Sequence, residues 1–531
     1  MPVAPAAADP ATEKPAEPAV QRPLTAFRPS YPYSPQANAA AGPVAPVASL
    51  TDAIALAYRN NPTLLSQRAA LRSIDNRYPQ ARAAYLPTLD ITATTGYTHD
   101  RNDSPFGPTP AQHGWSNSAA AVATQSLYSF GRNRSSENVA LAEIAYQREL
   151  LRSSETEVML AVVSDYVEVI RDAEAVTIAA QNEAILAREY DEDKTRYRVR
   201  EITSTDFQQV ESRLEAARAG LLSAKAQLAA SQSRFLRDVG APPGELARPD
   251  VLQVPATTLD SVLAVAEADS PIVRQAQAKE KISRASREAA FAEDMPRVDA
   301  RGTAEVGSLS PYSNTYRTRR LQGEFVLTVP LLDGGRRAAR IAEAAESNQA
   351  DWLEIEAAVR STRGTVTEAW NQLAGARASL VHYLAAVASA REAFEGARIQ
   401  ERAGARTTLD VLDLARDLLI QQTNYNTALA NEYLFRANLI AAMGRLEAPK
   451  LVPSVQRYDA EAHFEKVRGR SDLPLFSPLL SSLDGVTGGG IAKDRPLGDP
   501  ASKVTPRPAL SLPAESVIPA EAPTDDLTGS R

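Results

Sequence analysis

The chain has no cysteine among its 531 residues. It can therefore form no disulfide framework, thiolate metal site or catalytic thiolate, and it offers no N-terminal cysteine for a lipid anchor. The four histidines are scattered and show none of the spacings that bind metals: His99, His113, His382 and His463. Neither a metal nor another cofactor is indicated.

The chain also lacks several patterns that would define other function classes. The motifs H-E-x-x-H and G-x-S-x-G are absent, and Gly490 is separated from Lys493 by Ile-Ala, so no phosphate loop is present. The formal net charge is only −7, and the basic residues are dispersed, which gives no support for nucleic-acid binding. No apolar run approaches the roughly 18 residues of a membrane-spanning helix. We therefore expect no enzyme, and any membrane insertion would use a β-barrel.

Both ends of the chain differ in composition from the middle. Residues 1–48 are rich in alanine and proline, and residues 448–531 are dominated by proline, glycine and serine. Such segments bury too little apolar surface to offset the entropy of ordering the chain. We predict a disordered leader over 1–48 and a disordered tail over 448–531.

The middle of the chain repeats itself. A shift of 204 residues superimposes five landmark pairs without a gap: Leu127 on Leu331, Gly131 on Gly335, Tyr166 on Trp370, Asp206 on Asp410 and Gly240 on Gly444. Further upstream the shift is 209, which places Pro62 on Pro271. The sequence predicts two tandem repeats, 49–248 and 249–447.

Each repeat is predicted to contain helices, a β-hairpin and a long helical pair. The hairpins fall at about 86–128 and 295–332, where apolar and polar residues alternate. That alternation suits a membrane barrel with a wet interior and a soluble half-buried sheet equally well. Residues 132–199 contain neither glycine nor proline and would span about 100 Å as one helix.

This plan predicts a mainly α-helical protein with a small contribution to a β-barrel. Four strands are too few to close a barrel, because about eight is the smallest number that works. Several copies must therefore combine, and a cyclic assembly removes every free strand edge.

The strand ends "LYSFGR" and "LLDGGR" and the helix start "GARTTLDVLD" resemble the TolC-like outer-membrane channel family over roughly residues 48 to 447. The resemblance implies a homotrimer with a twelve-stranded barrel in the outer membrane. It further implies an α-helical tunnel across the periplasm, which docks through an adaptor protein onto an inner-membrane ABC or RND exporter.

Asp410 and Asp413 lie one turn apart on a predicted helix. Like charges at this spacing repel, so they suit either a solvated surface or a hydrated pore wall that selects cations. The resemblance implies the pore wall, with six carboxylates from three copies at the periplasmic constriction. It also implies that Arg406 holds the closed state through Asp206, whereas the family's tyrosine in this network is replaced here by Glu401.

The function has three candidate interpretations. The segments "VIRDAE" and "EITSTDFQQVESRLEAARAGL" are similar to channels that serve type I protein secretion. Multidrug efflux is the alternative, because one channel can serve several pumps. A soluble periplasmic coiled-coil scaffold is the alternative from a different class, and it would not fractionate with outer membranes.

Overall fold

The computed structural model describes residues 45–101, 103–104, 107–108, 110–470 and 480–482. All of them belong to a compact unit that begins at Ala45. The predicted leader lies outside the described residues up to position 44. The predicted tail lies outside them at 471–479 and from 483 onward.

Helices dominate the described chain, and each half runs through short helices, two long strands and two long helices. The helices are α1 Leu50–Asn60, α2 Pro62–Asp75, α3 Arg77–Arg82, α4 Arg132–Arg198, α5 Ser204–Val239, α6 Leu259–Asp269, α7 Pro271–Ala292, α8 Arg336–Arg402, α9 Thr408–Ala442, α10 Ala448–Leu451 and α11 Ala462–Val467. The strands are β1 Thr88–Asp100, β2 Asp103–Ser104, β3 Gly107–Pro108, β4 Gln112–Tyr128, β5 Arg297–Ser310 and β6 Ser313–Thr328.

The helices α4 and α8 contain 67 residues each, which corresponds to about 100 Å. Each begins directly after a glycine with positive φ, +88° at Gly131 and +86° at Gly335, a conformation that residues with a side chain avoid. No proline interrupts either helix. The shorter α5 packs against α4, and α9 packs against α8, so each half forms a helical hairpin.

The four long strands form one antiparallel sheet in the order β1-β4-β5-β6, so β1 and β6 are its edges. One register row joins Ile91 to Ala121, Ala304 and Leu321. Side chains alternate between the two faces of a sheet. This row and the rows two residues away make up the face that we call the apolar face, and its large side chains are exposed: Leu89, Ile91, Leu321, Phe325 and Leu327.

The main core lies where α1, α4, α5 and α9 meet. Tyr166 of α4 is fully buried there, and its hydroxyl donates to the carbonyl oxygens of Ala48 and Ala247 at 3.1 and 2.7 Å. The residue 204 positions later, Trp370, is fully buried in a second core with α6 and α9. These contacts fix the two helical hairpins to the short helices that precede them.

The prediction of a disordered tail is wrong for residues 448–470, which we call the C-terminal segment. Val452 and Val455 are buried in the main core, and the backbone N–H of Tyr458 donates to the Tyr58 hydroxyl at 3.0 Å. Further along, His463 Nδ1 lies 2.7 Å from Oδ2 of the buried Asp75. The proline, glycine and serine content averaged over residues 448–531 hid this apolar stretch.

The predicted leader also extends too far. Val47 is buried in the main core, and its backbone N–H donates to the Pro242 carbonyl oxygen at 3.1 Å. This contact anchors the start of the described chain beside the end of α5.

Within the described part of the chain, no helix combines the length and the apolar character needed to cross a membrane.

Candidate functional site

The candidate site lies where the two helical hairpins turn, at residues 199–203 between α4 and α5 and at 403–407 between α8 and α9. We call these turns and the flanking helical residues the tip region. Thr203 is the N-cap of α5 and Thr407 is the N-cap of α9. Each forms a capping box, in which the threonine and an aspartate three residues later accept hydrogen bonds from each other's backbone N–H. Those aspartates are Asp206 and Asp410.

Asp410 is an exposed helix-capping residue. Its Oδ2 accepts hydrogen bonds from the Thr407 hydroxyl at 2.9 Å and from the Thr407 backbone N–H at 3.2 Å. These hydrogen bonds, the side-chain one first, hold the pKa of Asp410 below its ordinary value, and the charge of Arg406 acts in the same direction. Asp410 is therefore a carboxylate at neutral pH.

Asp413 is exposed and has a cationic partner. Its Oδ1 accepts from Arg213 Nη2 of α5 at 3.2 Å. The packing of Val210 and Leu214 against Leu412 brings the two helices together at this point. The sequence did not identify Arg213, because it lies 200 residues away and no spacing rule connects the two positions.

Arg406 and Asp206 are both exposed in the tip region. Asp206 accepts from the Thr203 hydroxyl at 2.7 Å, and the charge of Arg406 acts on Asp410. Among the described residues of one chain, no ion pair joins Arg406 to Asp206. Their predicted link therefore stays a prediction.

A group of ion pairs centred on Arg196 of α4 links the two hairpins. Its Nη1 lies 2.5 Å from Glu401 Oε1 of α8 and 3.3 Å from Asp193 Oδ1, and its Nε lies 3.2 Å from Glu201 Oε1. Glu401 and Asp193 are largely buried, with 9% and 2% of their side chains exposed. Glu401, which departs from the family pattern, thus has its own cationic partner.

A second ion pair joins the same two helices, with the arginine on α8 and the glutamate on α4. Arg398 of α8 lies 3.4 Å from Glu189 of α4. Burial raises the pKa of Glu189 and of Asp193 above their ordinary values, although Arg398 and Arg196 respectively oppose the shift. Only the i,i+3 pair Asp193–Arg196 could have been identified from sequence spacing.

The tip region therefore combines exposed carboxylates with buried ion pairs. Asp410 and Asp413 present negative charge to solvent from the first turns of α9, while Arg196 and Arg398 form ion pairs that join α8 to α4. Such an arrangement can attract cations at its surface and hold the hairpins in one position.

Comparison with known protein families gives a match to both halves of the chain. The family model described as outer membrane efflux protein matches residues 53–240 and 262–445. These ranges include both long helical hairpins and all four long strands.

Two characterised proteins are similar along most of their length. The outer membrane efflux protein BepC of Brucella suis biovar 1 is 26% identical over 425 residues, which cover 80% of this chain and 91% of BepC. The outer membrane protein TolC of Vibrio cholerae is 24% identical over 400 residues, which cover 73% of this chain and 89% of that protein.

Solved structures share the fold at lower identity. The Campylobacter jejuni CmeC outer membrane channel superimposes with a TM-score of 0.65 at 14% identity, covering 80% of this chain and 90% of CmeC. The open state of the Neisseria gonorrhoeae MtrE outer membrane channel superimposes with a TM-score of 0.62 at 21% identity, covering 76% of this chain and 90% of MtrE. The predicted mainly helical fold with a small sheet is confirmed.

Proposed function

The chain belongs to the outer membrane efflux protein family, whose members are non-enzymatic transporters of the Gram-negative outer membrane, and we propose that it forms a homotrimeric export channel there. The channel receives cargo from an inner-membrane ABC or RND exporter through a periplasmic adaptor protein. Family membership confirms that the chain is not an enzyme. It also argues against the alternative interpretation of the sequence as a soluble periplasmic scaffold.

The single observation that best supports a trimer is the sheet with two unpaired edges. In the described part of the chain this sheet has four strands, and its edges β1 and β6 are free to pair with other copies. Three copies supply twelve strands, enough to close the sheet on itself, whereas one copy cannot. The exposed apolar face then turns outward to lipid.

The helices continue from one end of the sheet only. The chain leaves β4 for α4 and β6 for α8, and α7 leads into β5 at that same end. We propose that this end is periplasmic and that the hairpin turns at the opposite end face the cell exterior. With α4 and α8 each about 100 Å long, three copies form a helical conduit through the periplasm.

The tip region forms the periplasmic gate of this channel. Asp410 and Asp413 of three copies surround the narrowest part, where their charges select cations. Arg213 reduces the charge at the Asp413 level, so Asp410 dominates the field. Arg406 and Asp206 link neighbouring copies in the closed state.

The first proposed cargo is small molecules, because the similar protein BepC is named as an efflux protein. The second is protein exported by type I secretion, which the sequence segments before and within α5 favour. Both use the same channel and differ in the inner-membrane exporter.

A deletion strain tests the function and separates the two cargo classes. Loss of the channel should increase susceptibility to toxic small molecules if efflux is the role, and it should remove specific proteins from the culture medium if secretion is the role. Complementation with the full chain should restore whichever property was lost. A deletion strain unchanged in both properties would contradict the proposed function, and crosslinking followed by pull-down would identify the exporter.

A further inference from the structure

Two arginines interrupt the apolar face near the hairpin turn of β5 and β6. Arg317 and Arg319 have the same parity along β6 as Leu321, Phe325 and Leu327, so they lie on the same face of the sheet. The register agrees, because Arg319 lies opposite Val306 and Arg317 opposite Ser308. Arg320, the residue after Arg319, lies on the other face.

Neither arginine has a counter-charge on this face. Both are exposed, and neither forms an ion pair with any described residue. No position of the apolar face along β1, β4, β5 or β6 is acidic; the nearby Asp90, Asp299 and Glu305 occupy the opposite face. A second copy that pairs its β1 with this β6 therefore brings no carboxylate to the arginines from its strand.

The position along the strand corresponds to a membrane interface. Towards the helices, the apolar face carries Leu321, Phe325 and Leu327. Towards the turn, it carries the exposed aromatic pair Tyr97 and Trp115, whose ring centroids are 5.5 Å apart. Aromatic girdles mark the two interfaces of membrane-inserted sheets, and arginine on the lipid-facing surface is costly at the bilayer midplane but nearly neutral at the interface.

We propose that Arg317 and Arg319 form a binding site for the phosphate groups of outer-leaflet lipid A, the phosphorylated glycolipid of the Gram-negative outer membrane. This rests on the proposed channel and its orientation, which place the hairpin turns outside and the apolar face in lipid. Guanidinium groups bind phosphate by paired charge-assisted hydrogen bonds. The adjacent apolar residues contact the acyl chains of the same lipid.

The test compares variants that change opposite faces of the same strand. The double variant R317Q/R319Q removes both charges from the apolar face, and R320Q removes one charge from the opposite face of the same strand. Each purified trimer is titrated with lipid A in detergent, and bound lipid is counted by native mass spectrometry. Parallel experiments replace lipid A by dephosphorylated lipid A or add excess inorganic phosphate as a competitor.

The wild type and R320Q should bind lipid A equally, and R317Q/R319Q should bind about twenty-fivefold more weakly, since each arginine near an anionic lipid surface contributes roughly a factor of five. Dephosphorylated lipid A should bind as weakly to the wild type as lipid A binds to R317Q/R319Q. Equal binding by R317Q/R319Q and wild type, or an equal loss in R320Q, would overturn the proposal. Displacement of lipid A by inorganic phosphate would also overturn it, because it would indicate a site for the free anion.

The same samples separate this proposal from the proposed function. If all variants are trimeric and conduct in lipid bilayers, a failure in lipid binding counts against the lipid site alone. If the wild type is neither trimeric nor conducting, the channel fails, and the lipid site that rests on it fails as well.

Discussion

At the residue scale, the acidic side chains of the tip region have local structural roles as well as a proposed role in conduction. Asp410 completes the capping box of α9, and Asp206 does the same for α5. Loss of a helix cap costs about 1 kcal/mol. Asp410 is the third residue of α9, and an amide oxygen at that position can accept the same hydrogen bonds from Thr407, so replacement of Asp410 by Asn removes the charge with little effect on the helix start.

Arg196 is the residue whose removal should most weaken the closed position of the hairpins. We expect Arg196→Gln to leave the largely buried Glu401 without its cationic partner. The closed position should then lose about 2 kcal/mol of stability per chain, a value between those for exposed and buried ion pairs. Over three copies this sum of about 6 kcal/mol exceeds the roughly 5.5 kcal/mol that moves an equilibrium from 1:99 to 99:1. Single-channel recording should show a larger open fraction.

The matched control is Arg198→Gln, since Arg198 is exposed at the end of the same helix and forms no ion pair within the described residues. It should leave the open fraction unchanged. An Arg196→Gln channel that opens no more often than the wild type would show that this ion pair does not hold the gate.

Asp165 of α4 should make stability depend on pH. Burial, followed by the neighbouring Asp238, raises the pKa of Asp165 to about 7 from an ordinary value of 3.8. Because the folded-state pKa is raised, the stability contributed by the protonated form is full below about pH 4 and is lost as the pH rises through about 7. At pH 8 we expect the free energy of unfolding of Asp165→Asn to exceed that of the wild type by on the order of 1 kcal/mol after solvent screening. Thermal unfolding should therefore occur at a higher temperature in the variant at pH 8 and at the same temperature in both proteins near pH 4.

The exposed Asp191→Asn on the same helix is the control and should follow the wild-type curve. A constant difference between Asp165→Asn and the wild type across this pH range would contradict the assignment to Asp165.

At the element scale, the sequence predicted those elements that depend on local patterns. The helix from Arg132 needs only a run without glycine or proline, and β5 and β6 need only alternation. Side-chain contacts between residues far apart in the sequence left no local pattern from which they could be predicted. The pairs Arg213–Asp413 and Arg196–Glu401 join residues about 200 positions apart, and the repeat shift does not superimpose their partners.

The C-terminal segment was missed for a related reason, because its stability comes from the surface on which it packs. Phe464 contacts Tyr78 of α3 edge-on, with 5.3 Å between ring centroids, and the Arg148 guanidinium lies 5.7 Å from its ring. Nothing in the local composition announces these partners.

Phe464→Ala should therefore destabilise the attachment of α11. We expect a cost of about 1 to 2 kcal/mol, below the roughly 3–5 kcal/mol of a fully buried phenylalanine, because Phe464 is only partly buried. Hydrogen exchange of the α11 amides should accelerate, whereas Lys466→Ala on the exposed side of the same helix should leave it unchanged. Equal exchange in both variants would show that the aromatic contact does not hold this segment.

At the scale of the whole molecule, the absence of cysteine allows the orientation to be tested cleanly. Pro311→Cys, at the exposed turn between β5 and β6, should react with a membrane-impermeant thiol reagent on intact cells. Ala405→Cys, in the exposed turn between α8 and α9, should react only after the outer membrane is permeabilised. Labelling in the reverse pattern would invert the proposed orientation.

The central claim is that three chains form one channel whose narrowest part is lined by Asp410 and Asp413, and block of single-channel current by a trivalent cation such as lanthanum tests it most directly. The wild type in a planar bilayer should be blocked from the tip side, because the clustered carboxylates concentrate cations. D410N/D413N should lose the block while remaining trimeric, and Arg213→Gln should strengthen it, since Asp413 then loses its partner. Unchanged block in D410N/D413N would show that these aspartates lie on a solvated surface outside the pore.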